Sequence, residues 1–357
     1  MAIALAVALA TTACDDGGSV YGDGGGPTAW TAIADSAFGT ANISAIAYGS
    51  VGNADGRFVA VGSDSKMTYS DDGETWTAVS NSTFDPGDSI SSIAYVNNRF
   101  FAGGENGKMA YSDDGETWTA VSNSAFVIYG YNSFIRSIAY GNNGFVAVGD
   151  SVIGYNPNTQ PGRMAYSTNG TSWTAVSTNI TFGDSAILGI AYGNGKFVAV
   201  GENGKMAYSD DGKTYTWTAV SDSTFGSDDY IRSIAYGNGK FVAVGDDGKM
   251  ATSPDGVTWT AVYSTFGTSG ISAITYGEWV AGGRGFKKQL ADKAFAYSKH
   301  RFVAVGSDGK MAYSTNGTSW TAIANSTFGT ANISAIAYGN GKFVAGYGSG
   351  KMAYADW

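Results

Sequence analysis

Short apolar runs separated by glycine-containing polar turns recur along almost the whole chain. Residues 186–220 show the pattern clearly, with strand-like runs at 186–192, 196–200, 205–209 and 217–220. The connections between these runs contain Asn-Gly or Asp-Gly, the pairs best suited to the left-handed backbone of a tight hairpin turn. The pattern therefore predicts four antiparallel strands per copy, joined in sequence order.

The second run of each copy indicates how the copies pack. The sequence Phe-Val-Ala-Val, which is apolar at every position, occurs at 58–61, 145–148, 197–200, 241–244 and 302–305. A sheet that is exposed on one side would alternate apolar and polar residues, so both faces of these strands must be covered. Stacking each four-stranded unit between two neighbours achieves this. No repeat has a helical period, which excludes a helical solenoid.

Tryptophan recurs near the fourth strand of successive copies. The positions are Trp30, Trp76, Trp118, Trp173, Trp217, Trp259, Trp320 and Trp357, whereas Trp279 falls outside the series. A period of about 42 residues with four short strands per copy is typical of a β-propeller.

The two ends of the repeat predict how the ring closes. Residues 28–34 form a fourth strand with no preceding three, and residues 333–357 form three strands with no complete fourth. We expect the N-terminal strand to complete the last sheet, which would remove an open edge. The predicted fold is all-β: one seven-bladed propeller over 28–357, with an irregular insertion at 277–300 that is either a remnant copy or a basic docking segment.

The hairpin between the third and fourth strands resembles the Asp-box, S-x-D-x-G-x-T-W, of sialidase-type (BNR) repeats. Residues 69–76 (YSDDGETW) and 111–118 match its aspartate, glycine, threonine and tryptophan, with Tyr in place of its serine. Other copies have Thr168, Thr315 or Pro254 at the aspartate position.

The seven-blade count is more similar to the photosystem II assembly-factor group and to bacterial surface repeats than to six-bladed sialidases. The resemblance implies a propeller in which Asp71 and Asp113 form the turn. Asx side chains bond locally in turns without any metal.

The N-terminus indicates export. Residues 1–13 are apolar and uncharged and precede Cys14, the only cysteine of the chain. This segment resembles a bacterial lipoprotein signal peptide, which implies lipidation of Cys14 and a lipid-anchored location in the bacterial cell envelope. The Gly-rich, acidic residues 14–27 are expected to be a tether.

Composition narrows the chemistry. The net charge of −9 argues against nucleic acid as a partner, because phosphate binding needs a basic face. His300 is the only histidine, and a lone cysteine cannot supply a multi-cysteine metal site. We therefore expect no metal, no cofactor and no catalytic residue.

We expect different roles for two groups of basic residues. Arg136 and Arg232 lie in first strands, which line the axis of a propeller, and are either candidate channel ligands or paired with acids such as Asp228 or Asp229. The residues that open second strands, such as Arg57, and third strands are expected to be solvated hairpin flanks. The third-strand residues are Lys66, Lys108, Arg163, Lys205, Lys249, Lys310 and Lys351.

Two expanded connections break the symmetry on one face. Residues 126–134 (FVIYGYNSF) join blade 2 to blade 3, and residues 151–162 (SVIGYNPNTQPG) join two strands of blade 3. Aromatic, uncharged loops suit a sugar or a protein surface, although loops also tolerate insertions without a partner. The candidate partner face comprises Phe126, Tyr129, Tyr131, Phe134, Tyr155 and Asn156.

These observations favour a non-catalytic envelope lipoprotein that binds a protein or glycan at the cell surface and contacts the membrane only through its lipid. A sialidase-like glycan-processing enzyme is one alternative, and a structural subunit of a surface layer or filament is another.

Overall fold

The computed structural model describes residues 29–51, 56–127, 132–152, 162–177, 181–280, 298–324 and 327–356. Within these ranges the chain forms seven four-stranded antiparallel sheets, each a meander. The predicted all-β, seven-bladed propeller is confirmed.

The strands follow the predicted order in each blade. Blade 1 contains β2 (Ile43–Gly49), β3 (Arg57–Gly62), β4 (Met67–Ser70) and β5 (Thr77–Ala78). Blade 2 contains β6 (Ile90–Val96), β7 (Arg99–Gly104), β8 (Met109–Ser112) and β9 (Thr119–Ala120). Blade 3 contains β10 (Asn132–Gly141), β11 (Gly144–Val152), β12 (Arg163–Ser167) and β13 (Thr174–Val176). Blade 4 contains β14 (Ile187–Gly193), β15 (Lys196–Gly201), β16 (Met206–Ser209) and β17 (Thr218–Ala219).

The remaining blades have the same plan. Blade 5 contains β18 (Ile231–Gly237), β19 (Lys240–Gly245), β20 (Met250–Ser253) and β21 (Thr260–Val262). Blade 6 contains β22 (Ile271–Val280), β23 (Ser298–Gly306), β24 (Met311–Ser314) and β25 (Thr321–Ala322). Blade 7 contains β26 (Ile333–Gly339), β27 (Lys342–Tyr347), β28 (Met352–Asp356) and the N-terminal β1 (Thr31–Ala32).

Ring closure occurs as the sequence predicts. Strand β1 pairs antiparallel with β28, with Thr31 opposite Tyr354 and Ala32 opposite Ala353. The backbone N–H of Ile33 donates to the carbonyl of Met352 at 2.9 Å. First strands β2 and β26 also pack together, so the first and last blades are neighbours. The outermost strand of blade 7 is thus supplied by the other end of the chain.

The core lies between the blades. The second strands are buried at nearly every position, and Phe58, Val59, Ala60 and Val61 have 0% exposure. Each hydrophobic cluster combines residues of two adjacent blades; Val59 of blade 1, for example, packs with Phe100 of blade 2. Apolar residues on both faces of a strand therefore reflect burial on both sides.

At most interfaces between adjacent blades, here called seams, a glycine of one blade packs directly against a tyrosine of the next. A Cβ atom placed on Gly193 of blade 4 would lie 2.1 Å from Cγ of Tyr236 in blade 5. The same Gly–Tyr approach occurs at Gly49, Gly141, Gly237, Gly277 and Gly339. Val96 takes the equivalent position in blade 2 and packs in a cluster that includes Tyr140. In the six blades that have glycine here the neighbouring blade requires it, because the Tyr ring occupies the space of a side chain.

The turn between the third and fourth strands is held one residue later than the Asp-box alignment predicts. Oδ1 of Asp72 accepts hydrogen bonds from the backbone N–H groups of Glu74 (2.8 Å) and Thr75 (2.7 Å). Asp71 instead pairs with Arg57 at 2.7 Å. The assignment of the turn to Asp71 was therefore wrong.

The same shift applies in other copies. Asp114 caps the turn of blade 2 through the N–H groups of Glu116 and Thr117, while Asp113 pairs with Arg99. The copies with Thr or Pro at the earlier position keep a capping residue, namely Asn169, Asp255 and Asn316. Asn and Asp both offer the Oδ1 acceptor that this turn needs, so these copies do not lose it.

Candidate functional site

The propeller has two distinct ends. At the upper end the first strands begin, and this end carries the connections between blades and the loops between second and third strands. The lower end carries the loops between first and second strands and between third and fourth strands. A central cavity of about 510 Å³ is lined by the first strands.

The lining includes, from every blade, the residue that follows the buried isoleucine of the first strand. The seven residues are Ser44, Ser91, Arg136, Leu188, Arg232, Ser272 and Ser334. In every blade this residue lies at an irregularity in the pairing of the first and second strands, for example between Ile135 and Ser137 in blade 3. Both arginines singled out in the sequence lie on this ring, in blades 3 and 5, and Leu188 of blade 4 lies between them in ring order.

Arg136 is held by an acid of its own blade. Its Nε lies 3.0 Å from Oδ1 of Asp150 and its Nη2 lies 3.1 Å from Oδ2 of the same carboxylate. The Asp150 side chain is 6% exposed, and the guanidinium lies 4.5 Å from the centre of the Phe134 ring. This bidentate pair occupies the Nε–Nη2 edge of the guanidinium with a carboxylate.

Arg232 has a looser arrangement. Its Nε lies 2.6 Å from Oδ1 of Asp246, its side chain is 43% exposed, and it stacks over Tyr230 at 5.5 Å. Pairing with an acid was expected, but the expected partners, Asp228 and Asp229, are not the ones used. Asp229 binds Lys249 at 2.6 Å instead.

A second cavity of about 580 Å³ adjoins Arg232 at the upper end of blades 5 and 6. It is lined by Asp228, Asp229, Arg232, Asp246, Asp247, Thr268, Gly270, Ser272, Ser307 and Asn332. Asp229 and Asp246 are neutralised by Lys249 and Arg232. Sequence inspection missed this cavity, because its residues come from five separate loops and two first strands.

The expanded connections of blade 3 leave from the same edge of the sheet. Strand β10 has ten residues and β11 has nine, whereas β14 and β15 of blade 4 have seven and six. The extra residues lie at the upper end, where Asn132 pairs with Val152 and Ser133 with Ser151. The long β10–β11 pair therefore brings the starts of both connections together.

The predicted partner face is only partly described. Phe126 is completely buried and packs with Ile135 and Trp173, so its expected exposure was wrong. It fills the same kind of core position as Phe182 of blade 4. Phe134 is half-buried beneath Arg136. Tyr129, Tyr131, Tyr155 and Asn156 lie outside the described residues, as does Cys14, and their roles stay predictions.

The basic residues at the lower end are not simply solvated. The Arg57 side chain is 14% exposed; it pairs with Asp71, reaches Glu116 of the next blade at 3.2 Å and stacks over Tyr69. Lys342 likewise joins blade 7 to Glu74 of blade 1. These pairs link neighbouring blades. In blade 6 the first two strands run on to Val280 and from Ser298, and most of the basic insertion between them lies outside the described ranges.

Two further properties limit the chemistry of the described part of the chain. It contains no group of three His, Cys, Asp or Glu side chains placed to hold a metal ion. It also contains no helix of the length and apolar character that a bilayer span requires.

Comparison with known proteins identifies the fold class. Residues 28–150 match the family described as DUF6242 beta propeller domain. A search of curated proteins finds no match. The chain is similar to solved structures at sequence identities of 13–17%, so these likenesses concern the fold alone.

One such structure is YCF48 bound to D1 peptide, with 17% identity, a TM-score of 0.64, and coverage of 94% of this chain and 96% of that chain. YCF48 from Cyanidioschyzon merolae has 15% identity, a TM-score of 0.60, and coverage of 92% and 98%. A streptogramin B lyase has 13% identity, a TM-score of 0.64, and coverage of 92% and 98%.

Proposed function

We propose that this protein is a non-catalytic binding or assembly scaffold whose partner docks at the upper end of blade 3. The observation that carries the proposal is the extended β10–β11 pair. It is longer at the upper end than the corresponding pair of blade 4, and it joins the roots of two expanded connections through the Asn132–Val152 pairing. A rigid blade that presents long loops is a common arrangement for binding sites.

A protein segment is the partner class that we favour over a glycan. A protein of similar structure, YCF48, is described as bound to a D1 peptide. Its sequence identity to this chain is low, so the position of that peptide does not locate a site in this protein. Tyr129, Tyr131 and Tyr155 would supply large contact areas at a small cost in conformational entropy, as tyrosines do in many paratopes.

We place the scaffold in the bacterial cell envelope, anchored through lipidated Cys14. The support comes from the sequence of residues 1–27. Metabolic labelling with a palmitate analogue is expected to label the wild type and not Cys14→Ser, and the variant is expected to leave the membrane fraction. Equal labelling of both chains would contradict the anchor.

The docking site is tested by replacing the loops of blade 3 with their counterparts from blade 4. In this variant residues 127–132 become Gly-Asp, as at 183–184, and residues 151–161 become a single Asn, as at 203. A matched control replaces residues 278–300 by Asn-Gly, as at 194–195, which removes the other insertion at the opposite end.

Partners captured from envelope extracts with the wild type are identified by mass spectrometry, purified and titrated against each variant, alongside a glycan array. The blade 3 variant is expected to fold with an unchanged melting temperature and to lose partner binding, while the blade 6 control retains it. Retained affinity in the blade 3 variant would exclude this docking site, and selective glycan binding would identify the partner as a sugar.

The sialidase-like alternative would need several arginines to converge on one substrate carboxylate. Arg136 and Arg232 are each already paired with an aspartate, which supports the binding role over the enzyme. Hydrolysis of sialosides by the purified protein would overturn this preference. Regular arrays seen by electron microscopy of the purified protein would favour the structural alternative.

A further inference from the structure

The basic residues that open the third strands form a set of seven equivalent positions, one per blade, at the upper end. Four of them are neutralised or hydrogen-bonded by the connection that enters their own blade. Lys108 binds Asp85 and Asp88, Lys249 binds Asp229, Lys205 donates to the carbonyl of Phe182, and Lys310 donates to the carbonyl of Phe266. Lys66 and Lys351 are exposed to solvent.

Arg163 of blade 3 has neither arrangement: no side chain or carbonyl of the described residues binds it, and it is not fully exposed to solvent. It is half-buried, and its Nε is fully buried with no hydrogen-bond partner among the residues that the structure describes. Burial lowers the pKa of Arg163, with no acid acting in the opposite direction, whereas a hydrogen bond with Asp229 raises the pKa of Lys249. An arginine stays charged at neutral pH even so. This partly desolvated charge has no acid among the described residues to compensate it, which leaves the guanidinium able to bind a carboxylate from outside the chain.

The local sequence explains why blade 3 leaves this charge without a partner. Asp88 and Asp229, two residues before the buried Ile of the first strand, supply the acid in blades 2 and 5. Blade 3 has Ser133 at that position. The Ser133 Oγ donates to the carbonyl of Phe126 at 2.7 Å, which is the equivalent of the carbonyl that Lys205 and Lys310 use.

The nearest acid of the first and second strands is also committed. Asp150 adjoins Gly149, which pairs with Arg163 across the sheet, but its two carboxylate oxygens are bound by Arg136. In blade 3, then, Ser133 replaces the acid of blades 2 and 5, and the carbonyl of Phe126 already accepts a hydrogen bond from that serine. Blade 3 is also the blade with expanded connections at the upper end. The coincidence links the unpartnered cation with the docking end.

We propose that Arg163 is the anchor for a carboxylate of the docking partner, and that this partner presents an acidic protein segment to the upper end of blade 3. The inference rests on the proposed function, whose site it deepens. A guanidinium offers two parallel donors that match a carboxylate, which a lysine cannot do. The chain carries a net charge of −9, so an acidic segment needs a local cation to offset the overall repulsion, and Arg163 supplies one at the docking end.

The first test uses an array of immobilised peptides, each synthesised once with Asp and Glu and once with Asn and Gln at the same positions. The wild type is expected to prefer the acidic member of the pairs that it binds, by about ten- to one-hundredfold, the range of charge-assisted hydrogen bonds. Arg163→Met is expected to lose the preference. The matched control Lys351→Met removes the same charge from blade 7 and is expected to keep it.

The second readout is stability, which separates an anchor from a structural residue. Arg163→Met removes a desolvated charge while keeping the apolar stem, so its melting temperature is expected to equal or exceed that of the wild type. Arg163→Lys keeps the charge and is expected to bind with intermediate affinity, because it loses the paired donors.

The results that overturn the inference are distinct from those that overturn the docking site. Equal binding of acidic and amide peptides by the wild type, or an unchanged preference in Arg163→Met, excludes the anchor. Binding of sialyllactose in place of acidic peptides also excludes it, because the carboxylate would then belong to a glycan. If the blade 3 loop variant, which retains Arg163, loses partner binding while Arg163→Met binds like the wild type, the docking site is kept and the anchor is rejected.

Discussion

A methyl group at Gly193 should test the seam that joins the blades. The Cβ of alanine at this position would lie 2.1 Å from Cγ and 2.2 Å from Cδ2 of Tyr236. The Tyr236 ring itself packs against Phe241 in a tilted arrangement, with ring centres 4.7 Å apart. Gly193 does not have a left-handed φ, so alanine brings no backbone strain, and the cost of the substitution comes from packing alone.

The expected magnitude follows from this geometry. An ordinary contact needs 3.4–4 Å, so the ring or the strand must move by more than 1 Å. Overpacking of this kind costs about 1–3 kcal/mol, and separation of an aromatic pair adds about 0.5–1.5 kcal/mol. We expect Gly193→Ala to lower the free energy of unfolding by about 2–4 kcal/mol, a large part of the 5–15 kcal/mol typical of a domain.

The assay is urea unfolding followed by tryptophan fluorescence. Gly270→Ala is the matched control: its added Cβ would have no atom nearer than 3.8 Å and its φ is not left-handed, so its unfolding midpoint should stay at or slightly above that of the wild type. Tyr236→Ala vacates the space, so the loss in the Gly193→Ala/Tyr236→Ala double variant should be smaller than the sum of the two single losses. Additive losses, or a Gly193→Ala midpoint equal to the control, would refute the packing argument.

Two further predictions concern ring closure and acid stability. Trp30, which is 4% exposed and packs against Phe328, immediately precedes the ring-closing strand β1. Trp30→Ala should therefore lower the free energy of unfolding by about 3–5 kcal/mol in urea titrations, and an unchanged midpoint would mean that closure contributes little. The backbone N–H of Thr258, with that of Val257, lowers the pKa of Asp255, so its contribution to stability is complete above the unfolded pKa of about 4 and is lost as the pH falls through the lower folded pKa. Asp255→Asn keeps the Oδ1 acceptor, as Asn316 does in blade 6, and should unfold like the wild type at pH 7 but lose less stability on acidification; equal acid sensitivity of the two chains would contradict this.

The candidate site was less predictable than the fold. The sequence placed Arg136 and Arg232 in first strands, and the structure places both on the wall of the central cavity. It did not reveal that Asp150 and Asp246 hold them, because each pair joins residues fourteen positions apart across a hairpin. The exposure of Phe126 was also misjudged, since the position looks like the start of a loop and yet fills a pocket between blades 2 and 3.

The sequence by itself determined the strands, their order, the number of blades and the closure by residues 28–34. These follow from local signals: apolar runs on both faces, Asn-Gly and Asp-Gly turns, and a sequence repeat that starts with one strand and ends with the three strands it completes. The periodic pattern also required that every second strand be covered on both sides. No contact between particular residues was needed for any of these conclusions.

Only the tertiary structure decided which side chains meet across a seam or an upper loop. The glycine that admits Tyr236 and the arginine whose counter-charge is missing in blade 3 look ordinary in the sequence, because their neighbours lie in other strands or other blades. Near-identical repeats give every blade the same local preferences. The differences between blades arise from packing and charge among distant residues, and those differences locate the proposed site.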